Sequence, residues 1–501
     1  MNQDRRKFLI GAGGALTMTA LATQARHFAA AGALATNAQT QAGKPAAPPS
    51  DYRALVCILL NGGNDGNNTL VPLHSDANIS NYQVYASGRT QQGLAIPQNQ
   101  LLPVSVSRLS NLTYGFHSSL GPLPSVGGVN NGIYELWGQG RLAVVSNMGS
   151  LVRPLTKAQY QQTPSLRPYQ LFSHSDQIQQ QQSSRADSPS SLGWGGKVAD
   201  RTNALSNPTG RVPMITSING AQLFTLGQQT TPLAIKSAAV PLSESLYLHA
   251  SCCGGTLVDT RMAAVNELRT IDLDSELVRA TSHIMDQAQS ASAALSSYQE
   301  VTAPFPNTPL GMQLKQVARM IKKRTDLNIN RQVFFVELRG FDTHQNQVNP
   351  GFGQTALLAQ VSQAMRSFYD EMGVQGIQDK VTQFTLSDFG RTMEPSGAGS
   401  GVGTDHGWGN HMFVLGGAVF GGDIYGSTRP DGSGQIFPNL VTGGPDDIDT
   451  GSPRGRWLPT TSVEQYAATL CKWFGLTDQD LNAVFPHLAN FPTSNLGFMA
   501  T

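Results

Sequence analysis

"YRALVCILLNGGNDG" (residues 52–66) decides the fold. Seven apolar residues run without a break and then stop at Gly, Asn and Asp. A strand with one solvated face alternates apolar and polar residues, whereas a continuous apolar run suits a strand covered on both faces. Comparable runs recur at "RLAVVSNMG" (141–149), "VPMITSI" (212–218), "RQVFFVELRG" (331–340), "VTQFTLS" (381–387) and "HMFVLGG" (411–417). Helical patterns lie around and between them: "GIYELWGQG" (132–140), a stretch from about 256 to 298 that reads as two helices, "GMQLKQVARMIKKR" (311–324), "QTALLAQVSQAMRSFYDEM" (354–372) and "SVEQYAATLCKWFGL" (462–476). Strands alternating with helices predict an α/β fold with a mostly parallel central sheet covered on both faces. The long intervals between some strands should hold excursions beyond the sheet. "SDQIQQQQSS" (175–184) reads as a polar helix end or loop.

The 501 residues carry 34 Lys and Arg against 33 Asp and Glu, a net charge of +1. That balance gives no electrostatic reason to expect a nucleic acid or an anionic membrane as partner. The basic run "MIKKRTDL" (320–327) reads as the solvated face of a helix. Only 13% of residues are charged, which fits an exported protein. The amino terminus points the same way. Arg5 and Arg6 precede Phe8, Leu9 and a short apolar run, with small residues at Ala25, Ala31 and Ala35 where cleavage could fall. This resembles a twin-arginine signal over residues 1–35, which implies the twin-arginine translocase as export partner and a periplasmic or secreted location. The run is too short and too rich in Gly and Thr for a stable membrane span. An Ala/Gln/Pro linker follows over 36–52, and one domain is expected over 53–498.

Four cysteines without a CxxC pair argue against a zinc ribbon. Cys57 and Cys471 sit in apolar patterns and read as core. Cys252 and Cys253 read as plain loop thiols or as partners of a cysteine elsewhere, ahead of a strained vicinal disulfide.

Ligands of open α/β sheets bind at the carboxyl ends of strands. The polar clusters fall there: Asp65, Asn68 and Thr69 after the first run, Asp342 and His344 after the run at 331, and Ser387, Asp388 and Arg391 after the run at 381. The loop "TDHGWGNH" adds Asp405, His406 and His411 before the next run. Carboxylates and imidazoles gathered on one edge are the donors of a divalent cation, zinc first, with calcium or magnesium as alternates served by the carboxylates alone. Structural readings stand beside this one. Asp65 and Asn68 could make a turn after Gly-Gly, Asp342 could cap the following turn, and His406 could be a hydrogen-bonded loop residue. "SGAGSGVG" (396–403) lacks the spacing of a phosphate loop, and no GxSxG elbow occurs.

The motifs "GGNDGNNT", "GFDTH", "SDFGRT" and "DHGWGNHMFVLGG", with the closing helix, together resemble a large bacterial family. It is the family defined by the domain of unknown function numbered fifteen-hundred-and-one. That family is similar to the alkaline phosphatase and sulfatase superfamily. The resemblance spans about Arg53 to Leu476 and implies a three-layer α/β/α sandwich, alkaline phosphatase-like. It implies that Asp65 and Asp388 hold one cation and that Asp342, His344 and His406 hold another. Arg391 would face the anionic group of a phosphate or sulfate ester, small or polymeric. The superfamily nucleophile begins a helix between the first two strands, where Ser118 and Ser119 stand beside His117; Thr69 is the other candidate. The sequence departs from the pattern at Phe389, where the superfamily has a histidine, leaving His411 or Asp405 as substitutes. The function implied is a metal-dependent ester hydrolase. Its rival is an exported binding or assembly protein that kept the fold without the chemistry.

Overall fold

The computed structural model describes residues 51–500, apart from 125–127, 245–259 and a few positions between 261 and 299. The signal segment, nearly all of the linker, and Cys252 and Cys253 lie outside the described residues. The strands are β1 (Arg53–Asn61), β2 (Leu70–Pro72), β3 (Leu102–Val106), β4 (Leu112–Phe116), β5 (Leu142–Gly149), β6 (Ile215–Ser217), β7 (Leu233–Ala234), β8 (Arg331–Arg339), β9 (Val381–Ser387), β10 (Asn410–Gly416), β11 (Ile424–Tyr425) and β12 (Thr461–Ser462). Nine form the central sheet in the order β11-β5-β10-β9-β1-β8-β6-β7, with β12 also paired to β5.

β1 lies in the interior of this sheet, parallel to β8 on one side and to β9 on the other. Its alternate residues serve two cores. Ala54, Val56, Ile58 and Leu60 join one, and Leu55, Cys57 and Leu59 join the other. This two-sided burial is why the run is apolar throughout. Helices Pro309–Lys322 and Gln354–Val374 cover the first face through Leu314, Val317, Ile321, Leu358, Val361 and Phe368. Helices Trp194–Ser206, Val463–Phe474 and Asp478–Val484 cover the second. The molecule is therefore a three-layer α/β/α sandwich with a mostly parallel sheet. Cys57 and Cys471 are buried free thiols in the second core.

Three features depart from the sequence reading or add to it. β10 runs antiparallel to both β5 and β9. The loop that precedes it therefore opens at the same sheet edge as the loops that follow β1, β8 and β9. The interval after β1 holds a separate antiparallel sheet, β2-β4-β3. The basic run at 320–327 is a solvated face only in part: Thr325 and Asp326 are exposed and Lys322 and Arg324 half-buried, but Lys323 is buried beside Asp326 and Ser297.

Candidate metal centre

Two glycines let the loops approach one another. Gly62 and Gly63, with φ of +117° and +83°, turn the chain sharply after β1. A Cβ on Gly62 would stand 2.3 Å from the amide nitrogen of Asp342, and one on Gly63 would stand 2.6 Å from the ring of Phe389. Only glycine permits both the backbone angle and the contact. Arg391 then ties the loops together. Its fully buried guanidinium donates to the carbonyls of Gly62, Gly63, Phe341 and Thr404, and to Oδ1 of Asp342 at 2.6 Å. Its donors are spent inside the protein, so Arg391 is a scaffold and does not face an external anion.

Asp342 Oδ1 is the focus of three imidazoles. Nε2 of His344 lies 3.2 Å away, Nε2 of His174 3.3 Å and Nε2 of His406 3.5 Å. The Nε2 atoms of His344 and His406 are 2.8 Å apart. Each ring is held through its other nitrogen. His174 Nδ1 meets Asp388 Oδ2 at 2.7 Å, His344 Nδ1 meets Asp405 Oδ1 at 3.0 Å, and His406 Nδ1 meets the Phe172 carbonyl at 2.7 Å. A carbonyl or carboxylate only accepts, so each Nδ1 carries a proton, and each ring in its neutral form turns an Nε2 lone pair toward Asp342 Oδ1. Nitrogens 2.8 Å apart either share a proton in a hydrogen bond or face a common cation. Nε2 of His174 is buried and has no hydrogen-bond partner among the described residues.

These residues fit a metal ion. Donors held about 2.0–2.2 Å from a tetrahedral ion stand roughly 3.3–3.5 Å apart, close to the separations around Asp342. Imidazoles whose far nitrogen is tied to a carboxylate or carbonyl are the usual arrangement of metal-binding histidines. His174, Asp342 and His406 each place a ligand atom within 4.8 Å of the others. The centre is open on one side: the side chains of Asp342, His344, His174 and His406 are 48%, 42%, 30% and 21% exposed. A structural metal site is closed, whereas one that meets a ligand keeps an accessible position.

The electrostatics shift these groups in different directions. Burial pushes the Asp342 carboxyl up, but the Arg391 hydrogen bond and charge, with His174 and His344 nearby, outweigh it and hold its pKa below the ordinary value. Burial lowers the pKa of His406 and keeps that ring neutral. The hydrogen bond to Asp388 raises that of His174.

Several residues expected at the site are placed elsewhere. Asp65 is fully buried and bonded to Arg89 at 2.6 and 3.1 Å, to Gln347 and to the amide of Asn67; its oxygens are occupied and it stands outside the cluster. Asp388 is at the site but as a support: Oδ1 accepts from the Gly62 amide while Oδ2 holds His174. The hydroxyl of Thr69 is buried between the Asp65 carbonyl and Asn64. Ser118 is exposed in a 3₁₀ turn after β4, with no contact to the cluster. His411 is buried beside Ser146 and stacked on Phe437, so it does not replace the missing histidine. Asp405 holds His344 and Arg454.

The imidazole that fills the gap left by Phe389 is His174, a residue absent from the sequence reading. It begins the helix His174–Ser183 and packs on the Phe389 ring, centroids 4.7 Å apart. Phe389 also lies 4.6 Å from the His406 ring, forming an apolar floor under both imidazoles. The one signal available was the placement of a histidine, one of 10 in the chain, at the head of a Ser/Gln segment.

The family model described as "Protein of unknown function (DUF1501)" matches residues 52–436, and the chain belongs to that family. No curated protein matches the sequence. Among solved structures, the chain is similar to the PsFucS1 sulfatase from Pseudoalteromonas sp., at 9% identity and a TM-score of 0.22, over 80% of this chain and 68% of that one. It is also similar to the C-terminal periplasmic domain of EcEptC from Escherichia coli in complex with Zn, at 10% identity and a TM-score of 0.23, over 74% of this chain and 77% of that one. Among the described residues no helix is long and apolar enough to cross a membrane.

Proposed function

We propose that this chain is an exported hydrolase of the alkaline phosphatase and sulfatase class, with a single divalent metal ion and a phosphate or sulfate ester as substrate. The observation that carries this reading is the grouping of ligand atoms of His174, Asp342 and His406 on an open face, with His344 Nε2 3.2 Å from the same Asp342 oxygen. His174, Asp342, His344 and His406 would hold the ion. Three nitrogens and one oxygen favour zinc over calcium or magnesium, which take oxygen donors. Such an ion supplies Lewis acidity toward an ester oxygen and toward water.

The chain's own residues set the rest. Neutral imidazoles with one carboxylate leave roughly one positive charge at the centre of a divalent site, which favours an anionic ligand. Arg391 fixes Asp342, while Asp388, Asp405 and the Phe172 carbonyl fix the rings, so the donors are aligned before a ligand arrives. No serine, threonine or cysteine side chain touches the cluster among the described residues, so water is the nucleophile in this reading. The lack of a side-chain nucleophile also favours the second reading, a periplasmic binding protein without turnover. Export through the twin-arginine translocase completes the proposal, on the Arg5-Arg6 pair.

Hydrolysis of aryl phosphates and aryl sulfates by zinc-loaded protein, against chelated protein and His406→Ala, separates the two. Metal-dependent turnover abolished in the variant supports the hydrolase. Stoichiometric metal with no turnover on either ester supports the binding protein.

A further inference from the structure

We propose that the segment Gln170–Ser184 is a strap that docks over the metal centre when the ion is bound and comes away when it is lost. The inference rests on the metal reading above. The strap supplies two parts of the centre at once: the imidazole of His174, and the Phe172 carbonyl that holds His406 Nδ1 at 2.7 Å. Removing it would take away one donor and free the ring of another.

Apolar packing holds the strap through half-buried Leu171, Phe172 and Ile178, while the fully buried face of its helix is polar. Its helix buries Gln177, Gln180, Gln181, Gln182 and Ser183. Among the described residues, the amide nitrogen of Gln177 and the amide oxygens of Gln180 and Gln181 are buried without a hydrogen-bond partner. Each such group disfavours the docked state, because water would satisfy it. The backbone adds a second cost. Gln170, Phe172 and Ser184, none of them glycine, have φ of +45°, +68° and +62°. A left-handed backbone is least tolerated by a bulky residue such as Phe172. A helix with unpaired polar groups and strained flanks is poised to open. Against these costs stand the Phe224 amide on the Gln182 side chain, the Trp194 indole on the Gln181 carbonyl and, at the first residue, the grip of Asp388 on His174 with Nε2 facing the centre, which is the one of the three that an ion at the centre would strengthen.

Hydrogen–deuterium exchange on the full chain tests this, with zinc added or removed by chelator. Amides of residues 174–183 should exchange at least about ten-fold more slowly with zinc, while those of β1 and β9 stay unchanged. His174→Ala should exchange fast in both conditions, yet still take up zinc in a titration through Asp342, His344 and His406. Gln181→Met removes one unpaired amide at similar volume, and should slow exchange in the chelated protein. Zinc binding with no change over 174–183 would overturn the strap and leave the metal reading standing. Failure of the wild-type chain to bind zinc would overturn both.

Discussion

The carboxylate of Asp388 has no oxygen to spare, since one takes the Gly62 amide and the other takes His174 Nδ1. Its charge makes the ring a better donor and fixes its tautomer. Asp388→Asn keeps the shape and removes that charge, so zinc affinity, read by competition with a chelating dye, should fall about 10–100-fold. Unchanged affinity would show that Asp388 does not act through His174. Asp65 gives the opposite result. Asp65→Asn leaves Arg89 buried without its countercharge, which should cost about 3–5 kcal/mol in urea unfolding. Its metal stoichiometry should match the wild type, whereas a lost ion would return Asp65 to the site. In sequence, Asp65, Asp342 and Asp388 look alike, as acidic residues just past a strand. What separates them is who else is present, and Arg89 and Gln347 reach Asp65 from 24 and 282 residues away.

Among the elements, strands buried on both faces were legible because burial forces an apolar run, as in β1, β5, β8, β9 and β10. β11 and β12 are two residues each and carry no pattern. The direction of β10 was not legible either, because a buried strand reads the same both ways. The helix His174–Ser183 was hidden for a different reason: its buried face is glutamine, which has no hydrophobic period, and so His174 was missed with it. Beyond that helix a charged clasp ties the chain's end to the core. His487 Nδ1 meets buried Glu464 at 3.1 Å, and its Nε2 lies 3.4 Å from Asp187, which is paired with Arg185. The hydrogen bond to Glu464 raises the pKa of His487 against the effect of burial. A raised pKa gives stability that is complete below the unfolded value of about 6.5 and is lost as pH rises through the folded value. Lys197, also near this clasp, is lowered to about 8 by burial and becomes neutral above that point. Melting temperature should therefore fall as pH rises above about 6.5, and His487→Gln should flatten the slope relative to wild type. Equal slopes would contradict the clasp.

At the scale of the whole molecule, the sheet brings to one edge residues that are far apart in sequence. Loops after β1, β8 and β9 meet the loop before antiparallel β10, and the strap closes from the side. The family match ends at residue 436, yet Tyr466, Leu470 and Phe474 of the helix beyond it fill the second core. The edge, and most of what gathers there, follows from apolar runs ending in Gly, Asp and His. The fourth donor, and the division of carboxylates into ligands and supports, follow from tertiary contacts that no spacing encodes. The central claim is one metal ion among four named side chains. Anomalous diffraction at the zinc edge, on crystals of the full chain grown with zinc, tests it most directly. A single strong peak is expected within coordination distance of Nε2 of His174, His344 and His406 and of the Asp342 carboxylate. A peak seated on Asp65 or Asp388, or no peak at the four donors, would contradict it.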